Sequence, residues 1–285
     1  LFVGLGTGSF DVAMNLEGAS VERLLERSIM PHFHAAFSGG TVVSALVGSG
    51  LSYLGVAVGT HLLATALLLA AVAPWFLRAF LPRSVEVDEH GDEVRGEAGI
   101  AAAWREPRTL LIGVVVLAAA FTEGTANDWV AVALSEGYAL PRWVGVLGFA
   151  VFLAAMTAGR LVGTRLLDAR GRVPVLRWLF VASVVGCLLV VFGGPVLALV
   201  GAAVWGVGAS LGFPVGMSAA ADDPRRAAAR MSVVSTLGYT AFLAGPPLLG
   251  FLGDRVGVLR SLLVVGAVAG LALVVLPAVR KPAAA

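Results

Sequence analysis

The 285-residue chain has a single cysteine, Cys187, and a single lysine, Lys281, with only four histidines and three tyrosines. One thiol cannot close an internal disulfide, so a disulfide-stapled scaffold is excluded. Charge is also scarce: 13% of residues are Asp, Glu, Lys or Arg, against about a quarter in a soluble domain. No Lys/Arg run is interleaved with aromatics, so nucleic acid is excluded as a partner. A Walker A loop is absent too, which removes ATP as an energy source within this chain. What is abundant is apolar: 58% of residues are hydrophobic, with 36 Gly and 13 Pro, and the mean hydropathy is +0.91. Such a chain is too apolar for disorder. Its apolar residues run continuously and do not alternate, which excludes a β-barrel. The fold class expected is an all-α polytopic membrane protein.

A membrane-crossing helix needs about 20 apolar residues. Nine segments meet this, at residues 1–21, 33–56, 58–81, 108–135, 141–164, 173–193, 195–220, 227–252 and 257–279. Arg23, Arg27, Arg78, Arg83, Arg95, Arg105, Arg108, Arg165, Arg170, Arg172, Arg177, Arg225, Arg226, Arg230, Arg280 and Lys281 then fall on one side of the nine. Only Arg142, Arg255 and Arg260 fall on the other, and Arg160 lies within a span. Cytoplasmic loops carry the Lys/Arg excess, so the C-terminus and the loop at 82–107 are expected in the cytoplasm. That loop has an acidic core from Val85 to Glu93. It is read as a solvated linker in preference to a metal site. No metal or cofactor is expected.

An internal repeat organises the rest. Gly4-Leu5-Gly6-Thr7-Gly8-Ser9-Phe10-Asp11-Val12-Ala13-Met14-Asn15 returns, with one inserted residue, as Gly206-Val207-Gly208-Ala209-Ser210-Leu211-Gly212-Phe213-Pro214-Val215-Gly216-Met217-Ser218. Parallel repeats of this kind build many transporters. Three spans precede the second copy after the long loop, and none precede the first, which opens at Leu1 inside an apolar run. The simplest reading is a protein of twelve spans, of which this chain carries helices four to twelve. Residues 1–81 are then the remaining three helices of an N-terminal bundle, 82–107 the linker, and 108–285 a C-terminal six-helix bundle.

Local motifs resemble those of the major facilitator superfamily. Gly250-Phe251-Leu252-Gly253-Asp254-Arg255-Val256-Gly257 reads G-x-x-x-D-R-x-G, a corner motif common there. The stretch Gly159 to Arg172, with Gly163, Arg165 and Asp168, is similar to its cytoplasmic counterpart. It departs from the pattern at Thr164, where the family usually has an acid, and in two extra residues before Gly171. More narrowly, Asp11–Gly18, Met30–Ser38, Glu123–Trp129 and Asp222-Asp223-Pro224 resemble the rhizopine-transporter-like (MosC-like) branch. The first of these is also similar to the corresponding helix of fucose-type sugar/proton symporters. The resemblance implies a major-facilitator-type bundle with gating residues at Gly163, Arg165, Asp168, Gly250, Asp254 and Arg255. It also implies a monomer in the inner membrane of a bacterium.

Within the spans, Gly4, Gly8, Asp11, Asn15, Gly18 and Glu22 form one stripe of a helix. Asp11 sits at mid-membrane, where a charge costs about 2.5–3.5 kcal/mol on insertion scales. Such a group must face a cavity or partner, or take up a proton. Glu123 carries the same argument in the other half, with Asn127 one turn on and Asp128 beside Trp129 near the outer end. His32 and His34 diverge by about 160° on a helix, so a shared metal is not expected, although His34 could titrate at a cavity. The candidate solute- and proton-binding residues are therefore Asp11, Asn15, His34, Glu123, Asn127 and Asp128. Enzyme motifs do not hold up. Gly208–Gly212 matches G-x-S-x-G, but it lies within a span and the last histidine is His90. Gly4-x-Gly6-x-Gly8 lacks a βαβ unit around it. The function expected is secondary transport of a small organic solute, coupled to protons, with a non-transporting sensor or degenerate scaffold as the alternative.

Overall fold

The computed structural model describes residues 2–78 and 97–282, and all regular structure among them is helical. Three helices open the chain: α1 (Phe2–Leu25), α2 (Met30–Tyr53) and α3 (Val58–Leu77). After them come α4 (Glu97–Ala103), α5 (Pro107–Val132), α6 (Arg142–Arg170), α7 (Arg172–Phe192), α8 (Gly194–Ala209) and α9 (Gly212–Ala220). The last helices are α10 (Ala227–Val256), α11 (Val258–Ser261) and α12 (Leu263–Val275). The acidic core expected between Val85 and Glu93 lies outside the described residues.

Among the described residues, seven runs are long and apolar enough to cross a membrane: Gly59–Leu77, Pro107–Gly137, Trp143–Arg170, Arg172–Phe192, Gly194–Ala220, Pro224–Val256 and Val258–Val279. Helices α1 and α2 have the length, at 24 residues each. Asp11, Glu17 and Glu22 in α1, and the histidines and Gly/Ser-rich middle of α2, dilute their apolar runs.

Two details depart from the continuous spans expected. The segment 195–220 breaks between α8 and α9, at Ser210 and Leu211. Pro214 has no N–H to return to the carbonyl four residues back, which is that of Ser210. Inside the stretch expected as linker, α4 packs on α10 and buries Gly99 and Ala103.

Connections are tight where the two arginine-bearing motifs end. Gly171 (φ 78°) alone separates α6 from α7, and Gly257 (φ 85°) alone separates α10 from α11. A side chain at such φ values is strained, so glycine lets each span reverse within one residue.

Helix α5 is the axis of the packed part, burying Ile112, Val115, Val116 and Ala118–Ala120 against α10, α9, α12 and α6. Helices α7 and α8 approach closely at Gly186, where an added Cβ would collide with the backbone of Trp205 and Gly201. In lipid, packing of this kind, more than the hydrophobic effect, holds helices together. The Trp205 ring stands edge-on to Phe152 of α6, 6.1 Å between centroids. By contrast α3 is exposed along its length, with Leu62, Leu63 and Leu67 each more than 60% accessible. Helix α1 lies along α10 and α9, and α2 along α6.

Candidate functional site

Five helices, α1, α2, α5, α6 and α10, converge on a polar cluster. Asp11 and Asn15 of α1 are one turn apart, and the Asn15 amide nitrogen donates to the Asp11 carbonyl at 2.8 Å. The Asp11 carboxylate accepts from the hydroxyl of Tyr239, on α10, at 2.5 Å. With its nitrogen so committed, Asn15 presents its oxygen to His34 Nε2 of α2, 3.1 Å away. That pairing assigns the His34 proton to Nε2, because an amide oxygen only accepts. His34 is buried and meets the edge of Phe213 at 5.5 Å. His32, two residues earlier, is exposed.

Arg160 of α6 forms the other half of the cluster and is only 1% exposed. Its Nη2 is paired with Glu123 of α5 at 2.8 Å. Its Nη1 donates to the Ser38 hydroxyl at 2.5 Å and to the His34 carbonyl at 3.3 Å, both on α2. Its Nε donates to the carbonyl of Ser210 at 3.1 Å. That last acceptor is the one Pro214 leaves without a helical partner, so the break in the span supplies an arginine ligand. A buried guanidinium is tolerated only when its donors are met and its charge is balanced. Here four of its five N–H groups are placed.

The sequence-derived site residues thus divide. Asp11, Asn15, His34 and Glu123 are joined in one network, while Asn127 and Asp128 are exposed on α5 beyond it. Sequence reasoning missed Arg160 and Tyr239. Arg160 was legible in principle, since an ionisable residue inside an apolar span marks function by default. Tyr239 left no comparable signal.

A second polar set closes the arginine-rich end. Glu22 accepts the N–H groups of Ile29 (2.8 Å) and Met30 (2.9 Å) with one oxygen, capping α2, and the Ser218 hydroxyl with the other. Ser218 in turn accepts from Arg172 at 2.9 Å. Asp222 receives Arg172 at 2.7 Å and Arg108 at 2.6 Å. Among the expected gating residues, Asp168 accepts the N–H of Ser28 at 3.1 Å and so joins α6 to the α1–α2 turn. Gly163 makes room for Leu211, and Arg165 is exposed. Thr164 is buried, its hydroxyl turned back to the carbonyl of Leu161 at 3.4 Å. At the opposite end Gly250 faces Trp129, Asp254 is exposed, and the Arg255 guanidinium lies 3.9 Å over the Phe251 ring.

Outside the central cluster, Glu106 caps the approach to α5. It accepts from Arg226 and Arg230 of the α9–α10 corner and from Thr109. Its hydrogen bond with Arg230, supported by those from Thr109 and Arg226, pulls its carboxyl down to about 2.

Comparison with known proteins bears on the family and the fold. The family model of the Major Facilitator Superfamily matches residues 134–285. An uncharacterised transporter of Sinorhizobium fredii is 30% identical over 280 residues, covering 98% of this chain and 72% of the relative. An uncharacterised MFS-type transporter of Yersinia pestis is 32% identical over 258 residues, covering 89% of this chain and 64% of that protein. The membrane protein MosC of Rhizobium meliloti is 29% identical, covering 93% of this chain and 63% of MosC. The chain therefore spans just under two thirds of the latter two. In fold it is similar to the transporter FucP crystallised in an outward conformation, with a TM-score of 0.73 at 14% identity over 89% of this chain and 68% of FucP. With multiple membrane-length helices, the repeat, the two corner motifs and these relatives in hand, the chain belongs to the major facilitator superfamily of membrane transporters, in its MosC-like branch.

Proposed function

We propose that this chain is part of a secondary active transporter that moves a small organic solute together with protons, by alternating access between two helical bundles. The observation that carries the reading is the central cluster. It places two acids, Asp11 and Glu123, in one hydrogen-bonded network that joins α1 and α2 to α5, α6 and α10. Carboxylates are costly at mid-membrane unless they serve a relay or a ligand. A network crossing the groove between helix sets is where a carrier needs them. A structural neighbour, the E. coli fucose:proton symporter FucP, supports the reading at the level of fold, with a TM-score of 0.65.

In this reading α1–α3 are the remaining helices of an N-terminal bundle over residues 1–81, and 82–107 is a cytoplasmic linker. Residues 108–285 form the C-terminal bundle. The nine spans are helices four to twelve of a twelve-helix fold, in keeping with the share of each relative that the chain covers. The protein is a monomer of the bacterial inner membrane with its C-terminus in the cytoplasm. The arginine-rich end is then the cytoplasmic gate, with Gly163, Arg165 and Asp168 at it, while Gly250, Asp254 and Arg255 serve the outer corner. Asn127 and Asp128 lie at the outer mouth of the solute path.

The test is transport by the full-length protein in proteoliposomes under an imposed pH gradient. A thermal-shift screen against sugars, polyols and amphipathic amines first identifies the solute. Asp11→Asn and Glu123→Gln are each expected to lower gradient-driven uptake at least about tenfold, the size of effect typical of losing a proton-transfer group. Undiminished, still gradient-driven uptake by both variants would overturn the coupling.

A further inference from the structure

Arg160 does more than balance Glu123. Its guanidinium reaches out of α6 into α2, where Nη1 meets both the Ser38 hydroxyl and the carbonyl of His34. The same group is held from behind by Ser210 through Nε and by Glu123 through Nη2. Its four anchors come from two sides: α5 and the α8–α9 break on one, α2 on the other. The planar fork fixes the directions of Nε, Nη1 and Nη2 at once, which an ammonium cannot do.

From this geometry we infer that Arg160 is a positioning residue that clasps α2 to the C-terminal bundle and thereby holds the arginine-rich end closed. The inference rests on the two-bundle reading above. Toward the arginine-rich end, α1 and α2 are tied to the rest at Glu22–Ser218 and Arg23–Ala221, which are partly buried, and at Ser28–Asp168, which is exposed. The Arg160 contacts with α2 are the fully buried ones, and low dielectric strengthens them relative to those at the surface. Ser38 is a small hydroxyl that both donates to His34 and accepts from Arg160, so it transmits the fork's position to α2.

The aim of the fork depends on Glu123. With that carboxylate neutralised, Nη2 loses its ionic anchor. The titratable and charged groups around it are Asp11 on α1, His34 on α2, Glu123 on α5 and Tyr239 on α10. Of these, only Glu123 contacts the guanidinium through its side chain. Opening of the end would then follow the loss of the Glu123–Arg160 pair.

The experiment uses the full-length protein freed of its native cysteines, Cys187→Ser included, and spin-labelled through cysteines at the exposed positions Glu26 and Ala169 on the arginine-rich end. Pulsed electron spin resonance reads the distance distribution between them in lipid. Ser38→Ala removes one acceptor while leaving the Glu123–Arg160 pair intact, so it does not strand a charge and is the variant most certain to fold. It is expected to lower the ratio of closed to open molecules about tenfold, the loss of one hydrogen bond to a charged group. Arg160→Lys and Glu123→Gln are expected to lower it at least as far. A distribution unchanged in Ser38→Ala overturns the clasp, whether or not the other two variants fold. Uptake is measured in parallel. Shifted distances without gradient-driven uptake would defeat the carrier reading and leave the clasp standing. Intact uptake with unshifted distances would defeat the clasp alone.

Discussion

The Glu123–Arg160 pair shows how a charge survives inside an apolar bundle. The Arg160 side chain is 2% exposed and that of Glu123 is 15% exposed. Each would be intolerable alone, because removing one partner of a buried pair strands the other at a cost of about 3–5 kcal/mol. Arg160→Ala is therefore expected to lower the melting temperature in detergent by on the order of 10 °C, given the usual 2–4 °C per kcal/mol for a protein of this size. Replacing both residues by apolar ones of similar volume, Arg160→Met with Glu123→Leu, should recover most of that loss. Differential scanning fluorimetry of the three proteins checks this; a double variant as unstable as the single one would show that the pair is held by something besides charge balance. At this scale the sequence was half legible. Asp11 and Glu123 stood out because acids are rare inside apolar runs. Arg160 was counted among the positives without a partner, because the partner lies 37 positions away on another helix and no local pattern announces it.

The helices were legible at the level of existence and direction, since twenty-residue apolar runs between arginine-rich turns have few alternatives. The α8–α9 break was not, because it comes from a proline that withholds one hydrogen bond and an arginine that takes the freed carbonyl. The repeat makes the point sharply. Asp11 of the first copy stands where Pro214 stands in the second, and Asn15 where Ser218 stands. In the first copy the position carries an acid bonded to Tyr239; in the second it opens a carbonyl for Arg160. Similar backbone patterns thus serve two different polar contacts. Helix α4 also escaped the sequence reading, since seven residues with no strong period look like linker. The turn after it, leading into α5, is held electrostatically and in a pH-dependent way. Glu106, whose carboxyl is pulled down to about 2, holds Arg226 and Arg230 next to the start of α5. A carboxylate depressed in the folded state stabilises fully above its unfolded value of 4.5 and loses that contribution as pH falls toward 2. Thermal unfolding followed from pH 6 to pH 3 should therefore fall more steeply in the parent protein than in Glu106→Gln, which lacks the titrating group. Parallel curves would remove Glu106 from the acid sensitivity.

Across the whole molecule, the described polar contacts between α1–α2 and the rest run from the central cluster to the arginine-rich end. Asp11–Tyr239 and Arg160–Ser38 lie at mid-height, with Glu22–Ser218 and Ser28–Asp168 further along. A carrier closed at one end must release those contacts to open there, since rigid bundles rock about a fixed centre. Holding them shut should stop turnover without touching the solute site. In the full-length protein freed of its native cysteines, Cys187→Ser included, cysteines replacing Ser28 and Asp168, whose backbone N–H and carboxylate are 3.1 Å apart, should be joined efficiently by a short bis-maleimide. Cross-linked proteoliposomes are expected to lose at least about nine tenths of uptake, because a population locked in one state contributes nothing to alternating access. The same pair joined by a reducible linker should regain uptake on reduction, which separates locking from damage done by the substitutions. Full uptake through the cross-linked protein would mean that this end does not need to open, and the gate would have to be sought elsewhere in the fold.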